Sequence, residues 1–240
     1  MKIYAVIPTH NRHDDLAELL GTIPTDVEVL VIDNASTPSI QDESDTGGVV
    51  RDFAIHRDEE QPPNLSRLWN IGIDWAHARH RHAGHAPTDP IKGYVGADEY
   101  AVAILNDDVV LPPGFFSYMA RELTAHDVDI AFPGSVGLLC YANKDKPFPG
   151  VGLRLTGWCF VVRGSSGLRA DESLRWWCGD DDLQAQAVRN GRGTVAVQLP
   201  VDMAKGLLHK HPDESTTGVL REQTEKDMAT FVDKWGQRPW

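Results

Sequence analysis

The sequence predicts an α/β protein with a mostly parallel central sheet and helices on both faces. Along the first half, apolar runs of strand length alternate with stretches whose apolar residues recur at helical spacing, the pattern of a sheet wound by crossover helices. Three strand-like runs end in polar clusters, Pro8-Thr9-His10-Asn11-Arg12, Asp33-Asn34-Ala35-Ser36-Thr37 and Asn106-Asp107-Asp108. Open α/β sheets bind ligands beyond such strand ends.

The elements follow in order. Lys2–Ile7 is a β-rich run closed by Pro8, and Asp14–Leu20 a short helix with Leu16, Leu19 and Leu20 on one face. Val27–Ile32 reads as a buried strand and Val49–Ile55 as a third strand. Asn64 is a good N-cap for a helix whose stripe is Leu65, Leu68, Trp69, Gly72, Ile73 and Ala76, spaced for one buried face. Ala83–Tyr100 is the best loop candidate and Ala101–Leu105 the next strand. Phe115–Leu123 reads as a helix and Val128–Phe132 as a strand. The second half is less regular. Pro133–Gly157 is punctuated by Gly and Pro and reads as irregular, Trp158–Arg163 and Thr194–Leu199 as strands, and Leu183–Asn190 as a helix stopped by Gly191. From about Gly218 to Trp235 a closing helix turns Leu220, Met228, Phe231 and Trp235 inward.

Composition narrows the class. The 240 residues are 41% hydrophobic and carry a net charge of −12, enough for a sizeable core and adverse to general nucleic-acid binding. No linker splits the chain, so 1–240 reads as a single domain. Cys140, Cys159 and Cys178 show no CxxC or zinc spacing, and read as small buried hydrophobes in a reducing cytoplasm. No run approaches the roughly 20 apolar residues that span a bilayer, and the apolar N-terminal run is too short for a signal peptide. The histidine-rich stretch His77–His85 matches no common zinc pattern and reads as a solvated, weakly basic helix end or loop.

The most informative residues are Ala103–Val110, where Asn106, Asp107 and Asp108 interrupt a run that otherwise reads as core. An ionised carboxylate is costly to bury unless it is paired, hydrogen-bonded or bound to metal. Two carboxylates and an amide at a strand end suit a hard divalent cation holding a diphosphate. Asp180-Asp181-Asp182 form a second cluster, in which repulsion calls for a raised pKa or a cationic partner. Neither GxGxxG nor GxxxxGK[ST] follows any strand.

Taken in chain order, VIPTHNR, VLVIDNAST, NLSRLWNIGI, AILNDDVVLPPG and DESLRWWCGDDDL resemble the blocks of a family 2 glycosyltransferase of the GT-A fold. The resemblance covers the chain to about Gly191. It implies a nucleotide-sugar-binding half over about 1–112 and an acceptor-binding half over about 113–240. Pro8, Thr9 and Arg12 resemble the loop beside base and ribose, Asp33 the acid that binds the base, with Asn34 and Ser36 beside it. Arg67 and Asn70 resemble helix positions facing the donor. Asn106-Asp107-Asp108 resembles the DxD motif, with Asp108 the first metal ligand and Asn106 standing where Asp is usual. His209 and His211 are candidates for a further ligand, and Mn²⁺ or Mg²⁺ is the implied cofactor.

The stretch Asp171-Glu172, Trp176-Trp177, Asp180 resembles the spacing of the family's acceptor-side acids, although Gly179 replaces the usual Glu. Asp180 is then the expected base, Asp181 its understudy, and Asp182 an orienter of the helix start. Trp158, Trp176 and Trp177 suit stacking on sugar faces, with packing in the core as the alternative. The implied reaction is a metal-dependent, inverting transfer from a UDP-, GDP- or dTDP-sugar to a glycan, lipid, protein or modified nucleic acid. Two other classes compete. A sugar-phosphate nucleotidyltransferase is disfavoured because the first-strand loop, Pro8–Arg12, lacks glycine. A non-catalytic nucleotide-sugar or glycan binder is left open by Asn106 and Gly179. For Asp33-Asn34, an Asx-type turn is the simpler alternative.

Overall fold

The computed structural model describes residues 1–41, 52–82, 99–134, 139–149, 153–199, 208–209 and 218–239. Its first strands and helices are β1 (Lys2–Thr9), α1 (His13–Thr22), β2 (Glu28–Asn34), β3 (Ala54–Asp58), α2 (Leu65–His82), β4 (Tyr100–Leu105), β5 (Val109–Val110) and α3 (Phe115–Ala125). They are followed by β6 (Ile130–Pro133), β7 (Leu139–Tyr141), β8 (Cys159–Arg163), α4 (Gly179–Asn190), β9 (Thr194–Val197), β10 (Leu208–His209) and α5 (Gly218–Trp235). Eight strands form one sheet in the order β3-β2-β1-β4-β8-β6-β9-β7. The pairs β2–β3, β1–β2, β1–β4 and β6–β9 are parallel. Strand β8 runs antiparallel to both β4 and β6, and β7 antiparallel to β9.

Alternation along the central strands explains the two helical layers. Ala5, Ile7, Val29, Val31, Ala103 and Leu105 face one side, where Leu16, Leu19 and Leu20 of α1 and Phe115, Met119 and Leu123 of α3 cover them. Their neighbours Tyr4, Val6, Leu30, Ile32, Val102 and Ile104 face the other side, under Leu68, Trp69 and Ile73 of α2 and Leu183 and Ala187 of α4. A sheet covered on both faces needs strands apolar at every position, as β4 is. A third, smaller cluster seats α5: Phe231 is fully buried beside Leu174 and Cys178, with Phe148, Trp177, Met228 and Trp235 packed around them.

The strand expected over Val49–Ile55 instead runs from Ala54 to Asp58, its parallel register set by Leu30↔Ala54 through Asn34↔Asp58. Residues 49–51 and the interior of the loop expected over Ala83–Tyr100 lie outside the described residues. The segment 133–157 is not wholly irregular, because Leu139–Tyr141 adds an edge strand. On that edge Cys140 is exposed, unlike the buried Cys159 and Cys178. Helix α4 begins at Gly179 and so includes the acid cluster in its first turn. The basic stretch through His82 completes α2, and it is not solvated throughout. His80 is buried and stacked on Tyr100 at 4.3 Å, while the Tyr100 hydroxyl and His77 Nδ1 lie 2.7 Å apart.

The close approach of α2 to the sheet requires glycine. A Cβ on Gly72 would lie 2.2 Å from Cγ1 of Val6 on β1, whereas one on Gly21 of α1 would meet nothing within 4 Å. Gly72→Ala is therefore expected to lower stability by about 1–3 kcal/mol in urea unfolding, as overpacked cores do. Gly21→Ala, in the same assay, should cost nothing or stabilise by up to about 1 kcal/mol. Equal effects of the two substitutions would contradict this packing.

Candidate active site

The site begins where β4 ends. All six residues of β4 are buried, and the chain emerges at Asn106 with its backbone N–H donating to the Trp158 carbonyl at 2.9 Å. This link follows from the antiparallel register of β8, which sets Leu105 opposite Cys159. The start of β8 therefore lies at the same edge as the C-terminal ends of β1, β2 and β4. Both acids that follow Asn106 are buried, Asp108 to 1% exposure.

Each acid has a partner on the loop after β1 or at that strand's end. The Thr9 hydroxyl donates to Asp107 Oδ2 at 2.7 Å. The Arg12 guanidinium lies 3.1 Å from Asp108 Oδ2 and 3.7 Å from Asp107 Oδ1. Arg12 thus reaches from the loop after β1 to the acids at the end of β4. Burial pushes the Asp107 carboxyl up to about 6, with Thr9 and Arg12 pulling it down and the Asp108 charge adding to the rise.

The second cluster occupies the first turn of α4, where the helix dipole favours carboxylates. Its three acids have separate surroundings. Both Asp181 oxygens lie 2.6 Å from the Arg154 fork, on Nε and Nη2. Asp182, fully buried, accepts from Trp235 Nε1 at 2.9 Å, Gln186 Nε2 at 2.7 Å and Lys234 Nζ at 2.8 Å. Asp182 therefore anchors α5 through side chains rather than simply orienting the start of its own helix. Asp180 Oδ1 accepts the Asp181 N–H at 2.9 Å. Burial raises the proton affinity of both Asp180 and Asp181 against the pull of Arg154, and the adjacent Asp180 charge raises Asp181 further.

Between the clusters lies a cavity of about 520 Å³. Seven of the candidate site residues line it: Arg12, Asn106, Asp108, Trp158, Trp176, Trp177 and Asp180. Trp69, read as core, lines it as well as stacking edge-on against Phe160 at 5.3 Å. Gly157 and Gly179 let the loop and helix start close on Trp69, since a Cβ on either would come within 3.3 Å of its ring. The Trp176–Trp177 wall is held from behind by α5. Asp227, fully buried, accepts the backbone N–H of Trp176 at 2.6 Å and of Trp177 at 2.8 Å, while Gln223 donates to its other oxygen at 2.7 Å.

Sequence reasoning missed Arg154, Thr156 and Gly157 of the cavity wall, and Asp227 behind it. The segment around Arg154 carries no periodic pattern, and Asp227 is one acid among several on a largely polar helix. No local signal marks either.

Other expected site residues make hydrogen bonds within the fold. The Asp33 carboxylate accepts the backbone N–H groups of Ser36 and Ile40, each at 3.0 Å, and so shapes the turn after β2. The Ser36 hydroxyl accepts the Asn11 N–H at 3.0 Å. Asn34 donates to Asp58 Oδ2 at 3.0 Å and to the Glu60 carbonyl at 3.2 Å, and accepts from Gln61 at 3.1 Å. Arg67 pairs with Asp58 at 2.6 Å and Glu60 at 3.2 Å. Asn70 faces the chain rather than the cavity: its amide donates to the Ala170 carbonyl and to Glu172, and its carbonyl accepts the Ala170 N–H, all at 2.9 Å. Pro8 is buried within β1. The backbone of His209 pairs with Val109, one residue beyond Asp108, and His211 lies outside the described residues.

Among the described residues no three His, Cys, Asp or Glu side chains converge as a metal cluster. The donor set at the β4 end is a pair of buried acids, with Asp108 in the cavity lining. Magnesium is commonly held by one or two carboxylates together with substrate phosphates. These residues fit a cation that arrives with a diphosphate better than one caged by protein alone.

The sheet order and helix layers are those of the GT-A fold of the solved structures this chain resembles. The solved structures with this likeness include S. aureus TarS 1-349 in complex with UDP (TM-score 0.57, 13% identity, 97% of this chain and 66% of that one). They also include its complex with UDP-GlcNAc (TM-score 0.56, 13% identity, 97% and 67%). Against a longer TarS structure the match covers 83% of this chain and 36% of the other, at TM-score 0.53 and 14% identity. The chain therefore spans about a third of the longer TarS chain and about two thirds of the fragment. No family model and no curated protein matches the sequence.

The raised Asp107 carboxyl carries a signed stability effect. Its folded pKa of about 6 exceeds its ordinary value of 3.8, so the native state binds this proton more tightly. That stabilisation is complete below about pH 4 and is lost as pH rises through 6. In metal-free buffer, Asp107→Asn should match wild type in urea unfolding near pH 4 and exceed it by about 1–3 kcal/mol at pH 7.5. A variant less stable than wild type at pH 7.5 would contradict this.

Proposed function

We propose that this protein is a glycosyltransferase that moves a sugar from a nucleoside-diphosphate donor to an acceptor hydroxyl. The observation that carries the reading is the pairing, across one cavity of about 520 Å³, of Asp108 at the end of β4 with Asp180 at the start of α4. The GT-A fold supports it, and so do the TarS structures, which hold UDP and UDP-GlcNAc. A UDP-sugar is accordingly the first donor to test, ahead of GDP- and dTDP-sugars. Residues up to about 112 form the donor side and those beyond it the acceptor side in this reading.

Asp108, with Asp107 behind it, would hold Mn²⁺ or Mg²⁺, with His209 or His211 as a further ligand. A cation bound there supplies Lewis-acid neutralisation of the leaving diphosphate. Arg12, beside the same acids, adds positive charge at the donor end. Trp158, Trp176 and Trp177 offer flat apolar walls against which a sugar ring stacks. Asp180 takes the proton of the acceptor hydroxyl as that oxygen bonds to the anomeric carbon. The bond from that carbon to the diphosphate oxygen breaks on the opposite face, so the product is inverted.

A thermal-shift series tests the donor side. UDP and UDP-GlcNAc should raise the melting temperature more with Mn²⁺ than with EDTA, since a native-state ligand stabilises with the logarithm of its saturation. Asp108→Ala should abolish the Mn²⁺-dependent increment. Asp180→Asn should keep the donor shift and lower turnover of UDP-GlcNAc by about 10²–10⁴-fold, the range of general-base catalysis. Near wild-type turnover in Asp180→Asn removes the base assignment, and the absence of any nucleotide shift removes the donor reading.

A further inference from the structure

Asp180 and Asp181 are adjacent in sequence but differently placed. Asp180 lines the cavity. Asp181 is 2% exposed, and Arg154 holds both its oxygens at 2.6 Å. A carboxylate gripped on both oxygens by a guanidinium is poorly placed to accept a proton from a substrate hydroxyl, so Asp181 is a weak reserve base. Its backbone N–H instead donates to Asp180 Oδ1 at 2.9 Å. The residue whose side chain is tethered to Arg154 is thus the one whose N–H orients the Asp180 carboxylate.

We propose that Arg154 and Asp181 are a positioning pair for Asp180: the ion pair holds the backbone N–H that orients the Asp180 carboxylate, and its guanidinium sets a positive charge on that side of the cavity. The inference rests on the reading of Asp180 as the base.

The surroundings of Asp180 support this. On its own helix the nearest charges are Asp181 and Asp182, and Asp182 is held by Lys234 and Trp235 of α5. The residue before the helix is Cys178, a buried thiol whose pKa burial pushes up, so it stays neutral. Helix α2 presents Leu65 and Trp69 to the cavity, and neither titrates. The loop before β8 brings the Gly157 N–H to the Asp180 carboxylate, along with Arg154. Across the cavity stand Arg12 and Asp108, which pair with each other. Among the described residues, Arg154 is therefore the cation on Asp180's own side of the cavity. It opposes both the burial of Asp180 and the repulsion between two adjacent carboxylates, which would otherwise favour sharing a proton. The bidentate fork matters in its own right, because a lysine at 154 supplies charge without two parallel hydrogen bonds.

Carboxyl-¹³C aspartate labelling and NMR titration of the ligand-free protein test the pair, with Asp180→Asn assigning the Asp180 resonance. Arg154→Met should raise the titration midpoint of Asp180 by about one pH unit or more, a tenfold gain in proton affinity. Asp181→Asn, which removes the neighbouring negative charge and leaves Arg154 in place, should lower it. Opposite signs are expected because the two residues carry opposite charges, and a purely structural role would not produce them. Midpoints that stay put, or that move in the same direction in both variants, overturn the proposal. If Arg154→Met does not fold, the nearly isosteric Asp181→Asn decides alone, and an unchanged or raised midpoint overturns it. With UDP-GlcNAc as probe, the acidic limb of kcat/KM should follow the same shifts while the KM for the donor holds. Wild-type turnover in Asp180→Asn would remove the base reading, whereas the titration shifts judge the ion pair separately.

Discussion

The geometry of this site depends on how its buried carboxylates are neutralised. An acid taken out of water and left without a partner costs several kcal/mol, so the partners decide where the chain goes. Asp108 is matched by Arg12 from the loop after β1, and Asp181 by Arg154 from the loop before β8. Asp182 is matched by Lys234 and Trp235 from α5. Asp227 is matched by two backbone N–H groups and Gln223. Each of these except the Gln223 contact joins segments far apart in sequence, and together they fasten the loops and α5 around one space.

The topology explains why those loops meet. Ligand-binding edges of α/β sheets lie beyond the C-terminal strand ends, and β1, β2 and β4 run parallel to that edge. Strand β8 is inserted antiparallel next to β4, so its beginning rather than its end faces the same edge. That reversal places Arg154, Thr156, Gly157 and Trp158 around the same cavity as Asn106 and Asp108. A sheet parallel throughout would carry the start of β8 to the far side. Helix α5 then backs the tryptophan wall of the cavity, through its apolar contacts with Leu174 and Cys178 and the Asp227 bonds to Trp176 and Trp177.

Much of the fold was legible because it is written locally. The strands around Lys2–Ile7, Val27–Ile32 and Ala101–Leu105 are apolar at nearly every position, and helices α1, α2 and α3 show their buried stripes at 3.6-residue spacing. The shift of β3, the edge strand at Leu139–Tyr141 and the early start of α4 were not legible. These segments are short or polar, and only their sheet or cavity neighbours settle their state. For the site, polar residues beside apolar runs were a sound guide to place, since Arg12, Asn106, Asp108 and Asp180 all line the cavity. They said nothing of the contacts each residue makes within the chain. Asp33, Asn34 and Asn70 carry the residue types of a binding site but give their hydrogen bonds to the chain itself.

By itself the sequence determined the layered α/β architecture and two acidic positions, Asp107-Asp108 at a strand end and Asp180–Asp182 near a helix start. These are local patterns, set by periodicity and by the cost of placing charge in an apolar run. Only the tertiary structure decided which acid faces the cavity and which is tied down. That choice rests on Arg12, Arg154 and Lys234, which reach the acids from distant segments, and on Asp227, which holds the tryptophan wall from α5. Pairing across such distances leaves no periodic trace in the chain, because it depends on which segments the sheet order brings to one edge.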